Sequence, residues 1–162
     1  DIPLLRTIHI GADAFRYVCR FRASEAPCLQ EAVLVQARSL YLFVKDSFTF
    51  SFPLNTEVIS VASFCGNAKS MPVLDLSGFS ELRSFTTGMW CFHSVKVVVA
   101  TGLRRLKSIV IGKKNCVEPC LQKEASCFRV VGCSCLESVA IGDGSFAGFH
   151  ECTLQCNPCW VC

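Results

Sequence analysis

Four stretches of this chain superpose without a gap: LRTIHIGADAF from Leu5, LRSFTTGMWCF from Leu82, LKSIVIGKKNC from Leu106 and LESVAIGDGSF from Leu136. Each has Leu first, Ser or Thr third, an apolar residue fourth, Gly seventh and Phe or Cys eleventh. Such self-similarity constrains the fold more than any composition does, because every unit has to pack against its own copy. A weaker unit lies before each of these, such as Met71 to Leu76 before Leu82 and Val95 to Ala100 before Leu106. It shares the apolar first, fourth and sixth places of the stronger unit.

With the first place as anchor, the ladder runs Leu5, Val18, Leu29, Ser47, Val58, Met71, Leu82, Val95, Leu106, Ala125, Leu136, Phe149 and Trp160. Steps alternate between 11 and 13 residues, so the period is 24; the steps 29 to 47 and 106 to 125 are longer by 5 and 6. The third residue past the anchor is apolar throughout, from Ile8, Phe21 and Ala32 to Phe128, Val139 and Cys152.

Steps this short leave room for a strand and a turn and for no long helix. In an extended segment side chains alternate between two faces, so places three and five past the anchor face inward and places two and four face outward. One coil cannot bury its apolar edge, but coils stacked at the strand spacing of roughly 4.8 Å cover one another. The expected fold is a repeat solenoid of short parallel β-strands and turns with little helix. It forms a single array over residues 1–162, about six 24-residue coils, with insertions near 35–46 and 113–124. Gly11, Gly88, Gly112 and Gly142 directly follow the strands, where a positive φ is expected to turn the chain off the sheet.

The L-x-x-I-x-I spacing with Gly after it and Phe four residues later resembles the leucine-rich repeat family, and the turns IGADAF (10–15) and IGDGSF (141–146) are similar to its BspA-like branch. The resemblance is clearest over 58–154. Gly replaces the asparagine that many such repeats place after the strand, and Phe, Val or Cys replaces several leucines. The resemblance implies a non-enzymatic recognition scaffold, often surface-exposed and part of a longer protein.

Composition narrows the function classes. With 51% hydrophobic and 18% charged residues the chain has the material for a core and is not a disordered polyelectrolyte. A net charge of +3 gives no electrostatic footprint for nucleic acid. The most apolar region, Ala32 to Leu54, is interrupted by Arg38, Lys45 and Asp46, short of the roughly 20 apolar residues of a membrane span. The odd count of 13 cysteines, several at inward places, and the lack of an Asn-x-Ser/Thr sequon favour reduced thiols and an intracellular setting, while the family resemblance points to a cell surface. A start at Asp1 and a last coil that stops after Trp160 read as a piece of a longer protein whose uncapped ends self-associate.

Outward places differ between the two expected sheets. The glycine-bearing one carries Thr7, Glu31, Ser60, Ser84, Ser108 and Ser138, then small residues such as Thr86, Val110 and Ala140. The other presents larger and more varied groups, and Arg20, Arg22, Asp75, Val97, Val99 and Arg129 are the expected contacts for a protein partner. A reading from a different class takes Cys152, Cys156, Cys159 and Cys162, with His150, as ligands of zinc or an iron–sulfur cluster, since thiolates at those separations could meet at one site. On the solenoid Cys152 faces inward and Cys156 lies in a turn, so the expectation is no metal or other cofactor. A third reading is a structural spacer. No G-x-S-x-G, Cys–His pair or carboxylate pair supports catalysis, and Gly142-Asp-Gly144-Ser lacks the Gly-Lys-Ser/Thr of a phosphate loop, so the chain is expected not to be an enzyme.

Overall fold

Alternation of inward apolar and outward small or polar residues produces strands at the expected intervals. A computed structural model of the chain describes residues 4–10, 21–22, 28–34, 50–51, 53–61, 63, 72–117 and 126–156. The strands are β1 (Thr7–Ile10), β2 (Phe21–Arg22), β3 (Glu31–Leu34), β4 (Phe50–Ser51), β5 (Val58–Val61), β6 (Val73–Asp75), β7 (Ser84–Thr87), β8 (Val97–Thr101), β9 (Ser108–Ile111), β10 (Cys127–Val131), β11 (Ser138–Ile141) and β12 (Glu151–Gln155). Among the described residues there is no helix, and hence none long and apolar enough to cross a membrane.

Odd-numbered strands form one sheet in the order β1-β3-β5-β7-β9-β11, and even-numbered strands form a four-stranded sheet, β12-β10-β8-β6, and a two-stranded one, β2-β4. Every pairing is parallel and without stagger. The chain is a repeat solenoid of short parallel strands. Ile8, Ala32, Ile59, Phe85, Ile109 and Val139 occupy one register row, and Leu74, Val98, Phe128 and Cys152 another.

The core lies between the sheets. Ile59, Phe85 and Ile109 are buried from one side, Leu74, Val98 and Phe128 from the other, and the anchors Leu29, Leu82, Val95 and Leu106 are fully buried at the turns. Each large apolar side chain taken out of water in this way contributes about 1.5–3 kcal/mol. Phe146 extends the core along the stack, its ring 4.8 Å from both Phe128 and Phe149.

Two sequence expectations are corrected. The anchor of the coil holding β5 is Thr56, not Val58: Ile59, rather than Val61, pairs in register with Phe85. Thr56 fills a leucine's place, fully buried, because its hydroxyl donates to the Pro53 carbonyl at 2.7 Å. The slip is two residues, so Val61 still faces inward and Ser60 outward, as the period of two requires. Val58 therefore joins Ser84 and Ser108 in the first outward row, and Ser60 moves to the second, beside Thr86. Returns to the six-stranded sheet fall at 7, 31, 58, 84, 108 and 138, intervals of 24 to 30 residues around the 24-residue period.

The second correction concerns glycine. Gly88, Gly112 and Gly142 do not take a positive φ; the left-handed residues lie two and four places later, at Trp90 and Phe92, Lys114 and Cys116, Gly144 and Phe146. What demands glycine is proximity. A Cβ on Gly112 would lie 2.2 Å from the Gly88 carbonyl oxygen, and one on Gly142 would lie 2.7 Å from Lys113 N. Gly11 and the 35–46 insertion fall outside the described residues, as does the 113–124 insertion beyond Val117.

Candidate interaction surface

On β6, β8 and β10 every second side chain faces away from the core, which lays out two rows across the sheet. Val73, Val97, Cys127 and Glu151 form the first, and Asp75, Val99, Arg129 and Thr153 the second. The structure thus brings together four of the residues expected to bind: Asp75, Val99 and Arg129 in one row, with Val97 beside them. Arg22 lies apart on β2, in register with Ser51, and Arg20 lies outside the described residues.

The three charges on this face, Asp75, Arg129 and Glu151, already have partners. The Asp75 carboxylate accepts the Ser77 backbone N–H at 2.8 Å, and the Ser77 hydroxyl accepts the N–H of Thr101 at 3.0 Å. Arg129 Nη2 donates to the Glu151 carboxylate at 3.3 and 3.4 Å, while the Thr153 hydroxyl donates to it at 2.6 Å. The Thr153 hydrogen bond, with Arg129 next, holds the Glu151 carboxyl below its usual range. Val99 lies between Asp75 and Arg129 in the second row, with Val73 and Val97 side by side in the first; Val73 is 47% exposed, and Val97 and Val99 are half-buried.

The opposite sheet face is smaller-featured, with Ser84, Ser108 and Ser138 in one row and Thr86, Val110 and Ala140 in the next. Its charges sit one place after the anchor and bridge neighbouring coils: Glu57 to Arg83 at 3.0 Å and Lys107 to Glu137 at 3.6 Å. One place before the anchor, Arg105 pairs with Glu81. Sequence reasoning missed these pairs, although opposite signs at equal places in successive repeats were there to be read.

At the glycine turns both lysines are occupied. Lys113 pairs with Asp143 at 3.0 Å, and Lys114 Nζ lies 4.9 Å above the Trp90 ring. They do not converge on an anion. Asn115 was also missed. Buried beside these lysines, its side chain accepts the backbone N–H of Cys91 and donates toward Thr87 Oγ1 at 2.9 Å and the Gly88 carbonyl at 2.8 Å. One coil on, Ser145 occupies the same place; its hydroxyl donates to the Gly112 carbonyl at 2.7 Å and accepts the Asn115 N–H at 2.9 Å. Asn115 and Ser145 thus hold equal places on successive coils, three residues beyond the glycine.

Of the terminal cysteines, Cys152 faces inward on β12, in register with Phe128, and is exposed, and Cys156 is half-buried against the core. Cys159 and Cys162 lie outside the described residues. Among the described residues no three His, Cys, Asp or Glu side chains gather at metal-binding distance. Cys116 is buried, and loss of solvation, with Cys91 adding to it, pushes its thiol pKa far up, which keeps it protonated. Ser126 Oγ lies 3.1 Å from His150 Nδ1, but Ser126 is buried and its hydroxyl also faces the Gly148 carbonyl at 3.3 Å, the geometry of a staple between coils. No family model matches this chain, and neither a curated protein nor a solved structure does.

Proposed function

We propose that this chain is a non-enzymatic protein-recognition module, leucine-rich-repeat-like in plan, that engages a protein partner through the outward face of β6, β8 and β10. The observation that carries this reading is the patch formed by Val73 and Val97 in one outward row and Val99 in the next, left in contact with water beside Asp75 and Arg129. Parallel sheets ordinarily have both faces covered, so outward valines on one call for a cover. Binding energy concentrates where apolar groups are desolvated inside a polar rim, and each valine fully covered would contribute about 1.5–3 kcal/mol at most. Asp75 and Arg129, held by Ser77 and Glu151, form that rim at little further ordering cost. On the other sheet the exposed Val110 stands between Thr86 and Ala140, with Ser84, Ser108 and Ser138 in the adjoining row.

A photo-crosslinking side chain placed at position 97 or, as a control, at position 108 tests this in cells producing the protein. The reading expects one discrete protein adduct from position 97, lost on Val99→Lys, and none from position 108. Identical adducts from both positions, or none from position 97, would remove it.

A further inference from the structure

Across β6, β8 and β10 the outward face is self-complementary about its middle strand. In the second row Asp75 and Arg129 flank Val99, one strand away on either side, and in the first row Val73 and Cys127 flank Val97. A two-fold axis running along β8, between two such faces, lays β6 of one copy over β10 of the other. It sets Val99 on Val99, Val97 on Val97 and Val73 on Cys127, and it brings Asp75 to Arg129 twice over. An axis across the strands sets β6 on β6 and β10 on β10, which leaves Asp75 and Arg129 apart, so the charges select one orientation.

Asp75 and Arg129 both keep bonding capacity for such a partner. Asp75 holds the Ser77 N–H through Oδ1, which leaves Oδ2 to accept, and Arg129 reaches Glu151 through Nη2, which leaves further guanidinium N–H groups to donate. Face-packed sheets stand about 10 Å apart. An arginine and an aspartate extended toward each other span that gap. Glu151, on β12, lies outside the three paired strands and stays with Arg129.

We propose that two copies of this chain pack face to face through β6, β8 and β10, as a symmetric dimer closed by two Asp75–Arg129 pairs around the valines. The proposal rests on the side-face reading above and names the partner as a second copy. Such an interface uses the same patch on both copies, so assembly stops at the dimer. It covers the outer face of a parallel sheet, which is the usual condition of such sheets. Three short strands offer less than a standard interface, so the dimer is weak and reversible.

Sedimentation velocity of the 162-residue protein over a wide concentration range, with a phosphine reductant keeping the cysteines as thiols, tests it. Expected is a monomer that passes to a dimer, and to nothing larger, as concentration rises. Asp75→Lys and Arg129→Glu should each weaken dimerisation roughly tenfold, because each turns two exposed ion pairs into two like-charge contacts. An equimolar mixture of the two variants should recover it, since both contacts of the mixed dimer again join unlike charges. Val99→Lys should abolish it, and circular dichroism of each variant checks that it is folded. A monomer at all concentrations, association indifferent to the charge variants, or a mixture that does not recover would overturn the proposal. In that event a position-97 adduct of mass other than twice the chain's would leave the side-face reading standing with a different partner, whereas no adduct at all would remove both.

Discussion

The side-chain amide of Asn115 donates to the hydroxyl of Thr87, 2.9 Å away on the preceding coil. Thr87 faces inward at the end of β7 and is buried, so its hydroxyl would be an unsatisfied polar group without a partner on the next coil. It also accepts the N–H of Gly112, at 3.2 Å. Asn115 thus couples the polar interior of the glycine turns to the spacing between coils.

Asn115→Ala should therefore destabilise the fold by about 2–4 kcal/mol, because it leaves the Cys91 N–H and the Gly88 carbonyl without these side-chain partners in a buried site. Asn115→Ser should lose about half as much, on the pattern of Ser145. Urea unfolding followed by circular dichroism measures both. Equal losses from the two substitutions would show that side-chain volume, and not hydrogen bonding, is what matters there.

Gly112→Ala and Gly102→Ala separate two reasons for glycine. At Gly112 the new methyl would meet the Gly88 backbone at 2.2 Å, so neighbouring coils must move apart, whereas Gly102 has φ +69 and nothing within 4 Å of the added Cβ. The second substitution should cost about 1–2 kcal/mol, the left-handed penalty of an L-residue. The first should cost more and lower the unfolding temperature further. Thermal unfolding of the pair in parallel checks the order.

Burial that raises the Cys116 thiol pKa makes stability depend on alkaline pH. Below about 8.5 the thiol is protonated whether folded or unfolded, and its contribution is fully present. Above that value the unfolded thiol ionises while the folded one does not, so stability falls by up to about 1.4 kcal/mol per pH unit. Cys133 acts in the same direction, raised by burial. Urea unfolding between pH 7 and 10 should show this decline, less steep in Cys116→Val, and iodoacetamide should label exposed Cys135 long before Cys116 in the native protein.

Glu151 titrates the other way. Its carboxyl is lowered by the Thr153 hydroxyl first and by Arg129 next. The stabilisation from that contact is present above the unfolded carboxylate value of about 4.3 and disappears as pH falls through the lower folded value. Carboxyl NMR titration should show an upward shift in Thr153→Val and also in Arg129→Gln, and no shift in Asp75→Asn, three strands away.

Much of this architecture was legible in the chain because inward residues recur with the strand period. Phe85, Ile109 and Val139 line up as the spacing requires, and the Thr56 slip did no damage to the faces, since two residues is one full period. The outward rows holding Val97, Val99, Asp75 and Arg129 followed from the same alternation. The contacts that depend on which coil lies against which did not. Asn115 was counted with the 113–124 insertion because its partners, Thr87 and Cys91, are 28 and 24 positions away.

What the amino-acid order determined alone is therefore the coil, its two strands and the direction of each side chain, all set within about a dozen residues by alternation and turn length. Only the tertiary structure decided why Gly112 and Gly142 have no side chain, which charges are already paired and which valines remain uncovered. Those properties belong to the gap between neighbouring coils, a distance set by backbone hydrogen bonds across the stack and visible in no single repeat.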